Sequence, residues 1–552
     1  MKGRPYCSTM AVISLAMWAA SVAAQEHQHP PSQPTTARPD TVTPLYDNLG
    51  SLHHAITTKS QVAQQYFDQG LRLTYGFNHE EAIKSFKEGI RQDSTCAMCY
   101  WGVAYALGPN INLPMDTSAA LPASEAVEKA MKYSASAKPG EQAYIAALTK
   151  RYSRDAASPR APLDSAWANA IGKVSRRYPA DDDAAALYGE ALMDLRPWNY
   201  WTNGGRPKAA STLEALRVLE PVVKRSPDHP GACHYYIHAI EASIDAAKAL
   251  ACAERLGTLM PGAGHLVHMP SHIYIRLGRW DVAAERNVHA VHADQQYISE
   301  RQPTGVYPIA YYPHNYHMMW YALNMLGRGD DALEAARGVV KNVPVEVVRQ
   351  APPLEYFSPT VLYTLARFSR WYDILREPAP DKDLRYTTAI WHYTRGLAYT
   401  GKGQLDSAAA EHTKLVATTK EISADAAANL NSVQSLLAIA RSHLEGEMAA
   451  RKGHFNEAVK HLRDAVAGED DLTYDEPPPW YLPMRQRLGI VLLDAGRPRD
   501  AEKVFREDLV RRPENGWSLR GLSQSLTAQK RTQEASAVEA KFKKAWAKAD
   551  VE

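Results

Sequence analysis

Phenylalanine is scarce in this chain, at 8 of 552 residues, and cysteine is scarcer at 5, although 45% hydrophobic and 22% charged residues are ordinary for a globular protein. Long apolar runs are confined to the first segment. Lys2 and Arg4 precede an apolar stretch from Met10 to Ala20, and Ser21-Val22-Ala23-Ala24 supplies small residues before Gln25, the pattern of a secretory signal over 1–24. Beyond it nothing approaches the roughly 18 consecutive apolar residues of a membrane helix, so no membrane span is expected. Surplus charge is missing too. The signal carries two of the 63 Lys+Arg and none of the 61 Asp+Glu, so the mature chain is balanced, which removes the electrostatic basis for a nucleic-acid partner.

What is present is helical. Residues 25–50 form a proline-rich leader, with Pro30, Pro31, Pro34, Pro39 and Pro44 set among Gln, Thr and His, a composition that cannot build an apolar face. From about Leu52 onward apolar residues recur at helical spacing, in segments of 12–18 residues divided by Gly, Pro and Asp, and alternating strand-like runs are hard to find. The segments come in pairs. Tyr66 to Asp93 reads YFDQGLRLTYGFNHEEAIKSFKEGIRQD, and similar pairs occur at GRWDVAAERNVHAV, LGRGDDALEAARGVV, YTGKGQLDSAAAEHTKLV, ARKGHFNEAVKHLRDAV and LLDAGRPRDAEKVFREDLVRRPENGW.

These pairs resemble tetratricopeptide repeats, helix-turn-helix units of about 34 residues in which small residues let helices approach and large ones wedge into the next unit. The resemblance implies an all-α, right-handed tetratricopeptide-like solenoid of roughly 18–20 antiparallel helices, with first helices lining a concave groove that binds a protein, a peptide or a small molecule. Three sections follow the leader: N-terminal repeats over 51–230, a His-rich centre over 231–345 and C-terminal repeats over 346–552. The strings CAMCYWG, GPNIN, HYYIHAIEAS, HMPSHIYIRLGRW and PHNYHMMWYAL resemble a subgroup of secreted bacterial tetratricopeptide-repeat proteins, which implies a fold and a binding role and nothing about catalysis. Export to the periplasm or the extracellular space is the matching expectation.

Against 8 Phe stand 29 Tyr and 12 Trp, rings with a polar handle that suit a wet groove. Tyr235, Tyr274, Tyr312, Tyr316 and Trp320 are the expected lining near the centre, and the string Arg196-Pro197-Trp198-Asn199-Tyr200-Trp201 is a further aromatic cluster. Ordinary wedges between helices are the competing reading of each.

Nine of the 20 histidines fall between His234 and His317. His234 and His238, then His265, His268 and His272, then His314 and His317 stand at spacings of three or four, which puts each set on one helical face. Turns at Asp245, Asp281 and Asp331 open three second helices, so the three sets lie on first helices of consecutive units and face one surface. Glu241 shares the face of His234 and His238. His289 and His292 lie on a second helix and should face away. Neutral imidazole is a common copper or zinc ligand, so the registered set predicts one or two transition-metal sites, and three His with an open position can act on water or substrate as an oxidase or hydrolase would. Polar lining of a metal-free protein-binding groove is the alternative. Paired histidines on several helices loosely resemble those of binuclear copper oxidases, but the longer spacings and the repeat scaffold depart from that family, so its activity is not carried over. Pro270 requires either a helix start or a kink between His268 and His272.

The mature chain keeps four cysteines, an even number that suits disulfides in an exported protein. Cys233 and Cys252 flank the turn near Asp245 at similar distances and are expected to pair. Cys96 and Cys99 have CxxC spacing but are followed by Tyr100, so a c-type haem is excluded, and a local disulfide or redox pair remains. Gly396-x4-Gly401-Lys402-Gly403 lacks the Ser or Thr of a phosphate-binding loop and falls at a repeat turn, so no nucleotide is expected.

Overall fold

The computed structural model describes residues 43–551. The expected export signal and most of the proline-rich leader lie outside these residues. Within them the chain is all-α apart from a two-stranded turn at 427–432. Antiparallel pairs follow one another: Gln61–Tyr75 with His79–Gln92, Arg385–Gly401 with Leu405–Glu421, Val433–Arg451 with Phe455–Asp471, and Met484–Asp494 with Pro498–Arg511. This is the expected tetratricopeptide-like α-solenoid. Short helices such as Val345–Gln350 and Trp371–Arg376 add to the roughly 18–20 anticipated from periodicity. No described helix is long and apolar enough to cross a membrane.

Small residues set the pitch of the repeats. The Phe86 ring sits between Gly70 and Gly102, and a Cβ on either glycine would stand 2.5 Å from it. Phe505 is wedged in the same way between Gly489 and Gly521. Any larger residue there would overpack the wedge, at about 1–3 kcal/mol. The turns before two central second helices use Gly278 and Gly327 at φ of 73° and 72°, a conformation open to glycine at little cost. One apolar cluster runs from Leu49 to Ala535 and passes through the position near 230, while Val339, Val343, Val348 and Phe357 around 345 belong to a separate small cluster.

The solenoid does not leave an open groove beside its centre. Trp280 Nε1 donates to the Pro513 carbonyl and Trp517 Nε1 to the Asn324 carbonyl, each at 2.9 Å, so C-terminal repeats pack against central ones. Asp550 accepts from the Gly329 amide at 2.6 Å. From the other side Tyr75 packs on Tyr235, and Tyr297 reaches Glu81 at 3.5 Å. The rings expected to line a groove are accordingly buried. Tyr235 meets Tyr75 and Phe77, Tyr274 lies under Arg279, Tyr312 reaches the half-buried Tyr316, and Trp320 donates to Thr364 Oγ1. The polar handles of Trp320, Tyr312 and Tyr316 are taken by protein partners, which is why a polar-ring bias does not by itself signal a wet surface.

Candidate metal centre

Three helical segments carry the central histidines, as expected from the turns: Pro230–Ile240, Gly264–Arg276 and Tyr311–Met325. The second is split at Pro270. Gly264–His268 and Pro270–Arg276 join through Met269 at φ −49°, ψ −36°, so the chain keeps a helical path with a kink, and His265, His268 and His272 stay on one side. His289 and His292 are exposed on the Trp280–Arg301 helix, away from the cluster.

The structure gathers six of the seven histidines into two triads. His234, His238 and His265 form one, His268, His272 and His314 the other, and within each triad the facing ligand atoms lie within 4.8 Å of one another. The triads touch, with ring centroids 5.6 Å apart for His265 and His268 and 5.3 Å for His238 and His272. His317 does not join them. Its ring stacks on Trp320 at 4.9 Å and meets Tyr356 and Phe357, because it falls three residues beyond His314 where the Tyr311–Met325 helix has left the triad.

The orientation of the rings is fixed from behind. His234 Nδ1 donates to the Tyr75 carbonyl at 2.7 Å, and His238 Nδ1 to Glu241 at 2.8 Å. His268 Nδ1 lies 2.8 Å from Asn287 Oδ1, whose own Nδ2 is occupied by the Ala283 carbonyl. His272 Nδ1 meets Glu241 at 2.6 Å and also Glu476. Each bond engages Nδ1, so each of these four rings turns its Nε2 towards its neighbours. His234 Nε2 and His265 Nε2 are hydrogen-bonded at 3.2 Å and His268 Nε2 and His272 Nε2 at 2.6 Å, while buried His238 Nε2 has no hydrogen-bond partner among the described residues. Two nitrogens bound to one tetrahedral ion at about 2.0 Å would be about 3.3 Å apart. Glu241 braces one ring of each triad, and with His238, His272 and Glu476 it forms a further group close enough to hold an ion.

Burial keeps most of these imidazoles neutral. It depresses His234 to about 3 and holds His238, His265, His268 and His314 well below the usual histidine range, with their neighbouring rings adding to the effect. His272 differs. Burial would lower it as well, but the Glu476 and Glu241 carboxylates outweigh this and raise it to about 10. The two carboxylates behind His272 thus favour its protonated form, and its Nε2 contact with His268 marks a place that a cation can take.

Two bulky residues are held in the left-handed region against the first triad. Phe77 at φ 56° lies 4.5 Å from His234 and stacks on His265 at 5.5 Å, and Trp198 at φ 62° meets His238 edge-on at 5.3 Å. Such a conformation costs on the order of 1–3 kcal/mol per residue and persists only where surrounding packing imposes it. Sequence reasoning did not reach Tyr75, Phe77, Asn287 or Glu476, since each comes from an element remote in the chain. Trp198 was noticed only as part of an aromatic string.

Both cysteine pairs are close enough for disulfides. Cys96 and Cys99 have Cα atoms 5.4 Å apart and Cys233 and Cys252 5.1 Å, and both are joined. The second staples the Pro230–Ile240 helix, with two histidines of the first triad, to Leu250–Leu259.

The fold and this centre define a class: an all-α helical-repeat protein whose interior holds a buried polyhistidine cluster. No protein family and no curated protein matches the chain. Among solved structures, it is similar to the human IFIT1 dimer with m7Gppp-AAAA, at 13% identity and a TM-score of 0.33, over 89% of this chain and 91% of that one. It is also similar to yeast Tom70, at 11% identity and a TM-score of 0.31, over 88% of this chain and all of that one.

Proposed function

We propose that the protein is a metalloprotein holding two adjacent transition-metal ions, copper or zinc, each on three imidazole Nε2 atoms. One ion sits on His234, His238 and His265, the other on His268, His272 and His314. The observation that carries this reading is the direction of Nε2: four rings are anchored through Nδ1, so their Nε2 atoms converge in a dry interior, where His238 Nε2 has no hydrogen-bond partner among the described residues. An all-nitrogen donor set suits copper and zinc, and three protein ligands leave a fourth position for water or substrate. That position is a reason to expect catalysis of an oxidase or hydrolase kind. An extended peptide partner is disfavoured, because His234, His238, His265, His268 and His272 are at most 2% exposed. The N-terminal apolar segment and the two cysteine pairs support an oxidising compartment as the place of work.

The test is metal stoichiometry on protein purified without a histidine tag. Wild type should hold two ions per chain, and His238→Gln with His265→Gln, or His268→Gln with His272→Gln, should each hold one. A wild type with no stoichiometric metal after exposure to copper and zinc, or double variants that retain both ions, would sink the reading.

A further inference from the structure

A file of tyrosine rings leads out from the first triad. Tyr311 meets His265 edge-on with ring centroids 4.8 Å apart, Tyr307 lies 5.4 Å from Tyr311, and Tyr297 lies 5.6 Å from Tyr307. Tyr311 and Tyr307 are buried, whereas Tyr297, on the Trp280–Arg301 helix, is half-buried and reaches solvent. Carboxylates attend the hydroxyls. Tyr307 Oη donates to Asp294 Oδ1 at 2.8 Å and accepts from the His265 amide at 3.3 Å, and Asp294 is itself fully buried and held by Asn315 Nδ2 at 2.7 Å. Glu81 Oε2 stands 3.5 Å from Tyr297 Oη. Another tyrosine beside this triad makes a contrast. Tyr235 stacks on His234 at 5.4 Å and meets Tyr75 at 5.9 Å, but these two rings are at most 1% exposed, so the pair does not itself reach solvent.

We propose that Tyr297, Tyr307 and Tyr311 carry electrons, one at a time, from a small one-electron reductant in solvent to a copper ion on the first triad. The proposal rests on the metal reading and narrows it to copper that reacts with dioxygen, since zinc exchanges no electrons. Electron transfer weakens steeply with distance, so rings in contact replace one long jump with short ones. A phenol gives up an electron far more readily when its proton can leave in the same step, and Tyr307 has a carboxylate within proton-transfer distance.

Complete reduction of dioxygen to two water molecules breaks the O–O bond and takes four electrons and four solvent protons. Two of the electrons come from two copper(I) ions, which become copper(II). The tyrosines supply the other two in turn. Tyr307 gives an electron inward through the Tyr311 ring while its proton moves from Oη to Asp294 Oδ1. Tyr297 then refills Tyr307, the Asp294 proton returns to Tyr307 Oη, and the Tyr297 proton leaves towards Glu81 Oε2. The reductant restores the electron of Tyr297, and its proton comes back from Glu81.

The experiment loads full-length protein with copper(I), admits dioxygen with a nitroso spin trap and no reductant, and locates the trapped radical by peptide mass spectrometry. Copper and released hydrogen peroxide are measured on the same samples. The adduct should fall on Tyr297 and should vanish when ascorbate is present. Tyr307→Phe and Asp294→Asn should each lower it by about tenfold or more and raise the released peroxide, with copper content unchanged, while Tyr235→Phe should alter neither. An adduct on Tyr297 that survives Tyr307→Phe or Asp294→Asn, or none there on protein holding two copper ions, would overturn the proposal and leave the metal reading standing. Protein that takes two zinc ions but no copper would do the same. Protein that holds neither metal overturns both.

Discussion

Two places in this molecule bring histidine and carboxylate together, and they use their nitrogens in opposite ways. Near the N-terminal repeats, His54 Nδ1 and His229 Nε2 both point at Asp183, at 2.6 and 3.1 Å, and Tyr75 Oη donates to the same carboxylate at 2.6 Å. The remaining nitrogen of His229 accepts from the Ala232 amide and so caps the Pro230–Ile240 helix. His54, Asp181 and Asp183 are near enough to one another to hold an ion, yet Asp183 and His229 are spent on holding the structure together. In the central cluster the carboxylates stand behind the rings, and in front the Nε2 atoms meet only one another. Histidine count and proximity therefore say less about a metal than which nitrogen has been used.

The largest effect that would break this comparison lies at Asp183. Asp183→Ala leaves His54, His229 and the Tyr75 hydroxyl unpaired in the interior, so it should cost about 3–5 kcal/mol in urea unfolding while metal stoichiometry stays at the wild-type value in the folded fraction. Loss of metal with little loss of stability would reverse the roles assigned to the two clusters. Next is Glu241→Gln. Glu241 braces His238 and His272, one ring of each triad, so both sites should lose metal affinity together, by roughly 10- to 100-fold in a competition titration with a chelator. An effect confined to one ion would show that the two triads do not share their brace.

A smaller effect is expected from pH at the first cluster. Burial pulls the His54 pKa down, but its hydrogen bond to Asp183 and that carboxylate's charge raise it on balance from 6.5 to about 8. The protonated ring is the favoured partner, so its contribution is complete below pH 6.5 and is lost as pH rises through 8, by about 2 kcal/mol in all. Urea midpoints of metal-free wild type and His54→Asn should therefore lie furthest apart in mild acid and converge in mild base. A gap that widens with rising pH contradicts the assignment.

The fold was legible because it is local. Gly70, Phe86 and Gly102 announce a repeat within one stretch of chain, and the turns at Asp245, Asp281 and Asp331 put the histidine sets in register. Six of the seven histidines come together in the structure, whereas His317, one helical turn beyond His314, packs on Trp320, a difference that sequence spacing does not record. The burial of the rings expected to line a groove has a related reason. Trp280 with Pro513 and Trp517 with Asn324 close the solenoid through contacts between residues nearly two hundred or more positions apart, which no local pattern encodes. Glu476 reaches His272 from a loop for the same reason, and only the structure shows which nitrogens Glu241 meets on His238 and His272.

Asn287 gives the finest test of the contrast between used and free nitrogens. It sits on the Trp280–Arg301 helix, at 0% exposure, with Nδ2 on the Ala283 carbonyl and Oδ1 on His268 Nδ1. That arrangement fixes the His268 tautomer without adding charge. Asn287→Asp should preserve the acceptor and hold metal at the second triad, whereas Asn287→Leu, similar in volume but unable to accept, should free the ring and lower affinity there by about tenfold, with the first triad unchanged. Because both substitutions alter the same buried position, a matching loss in the two would point to packing rather than tautomer, and the anchoring of Nδ1 would not be what directs Nε2 to the metal.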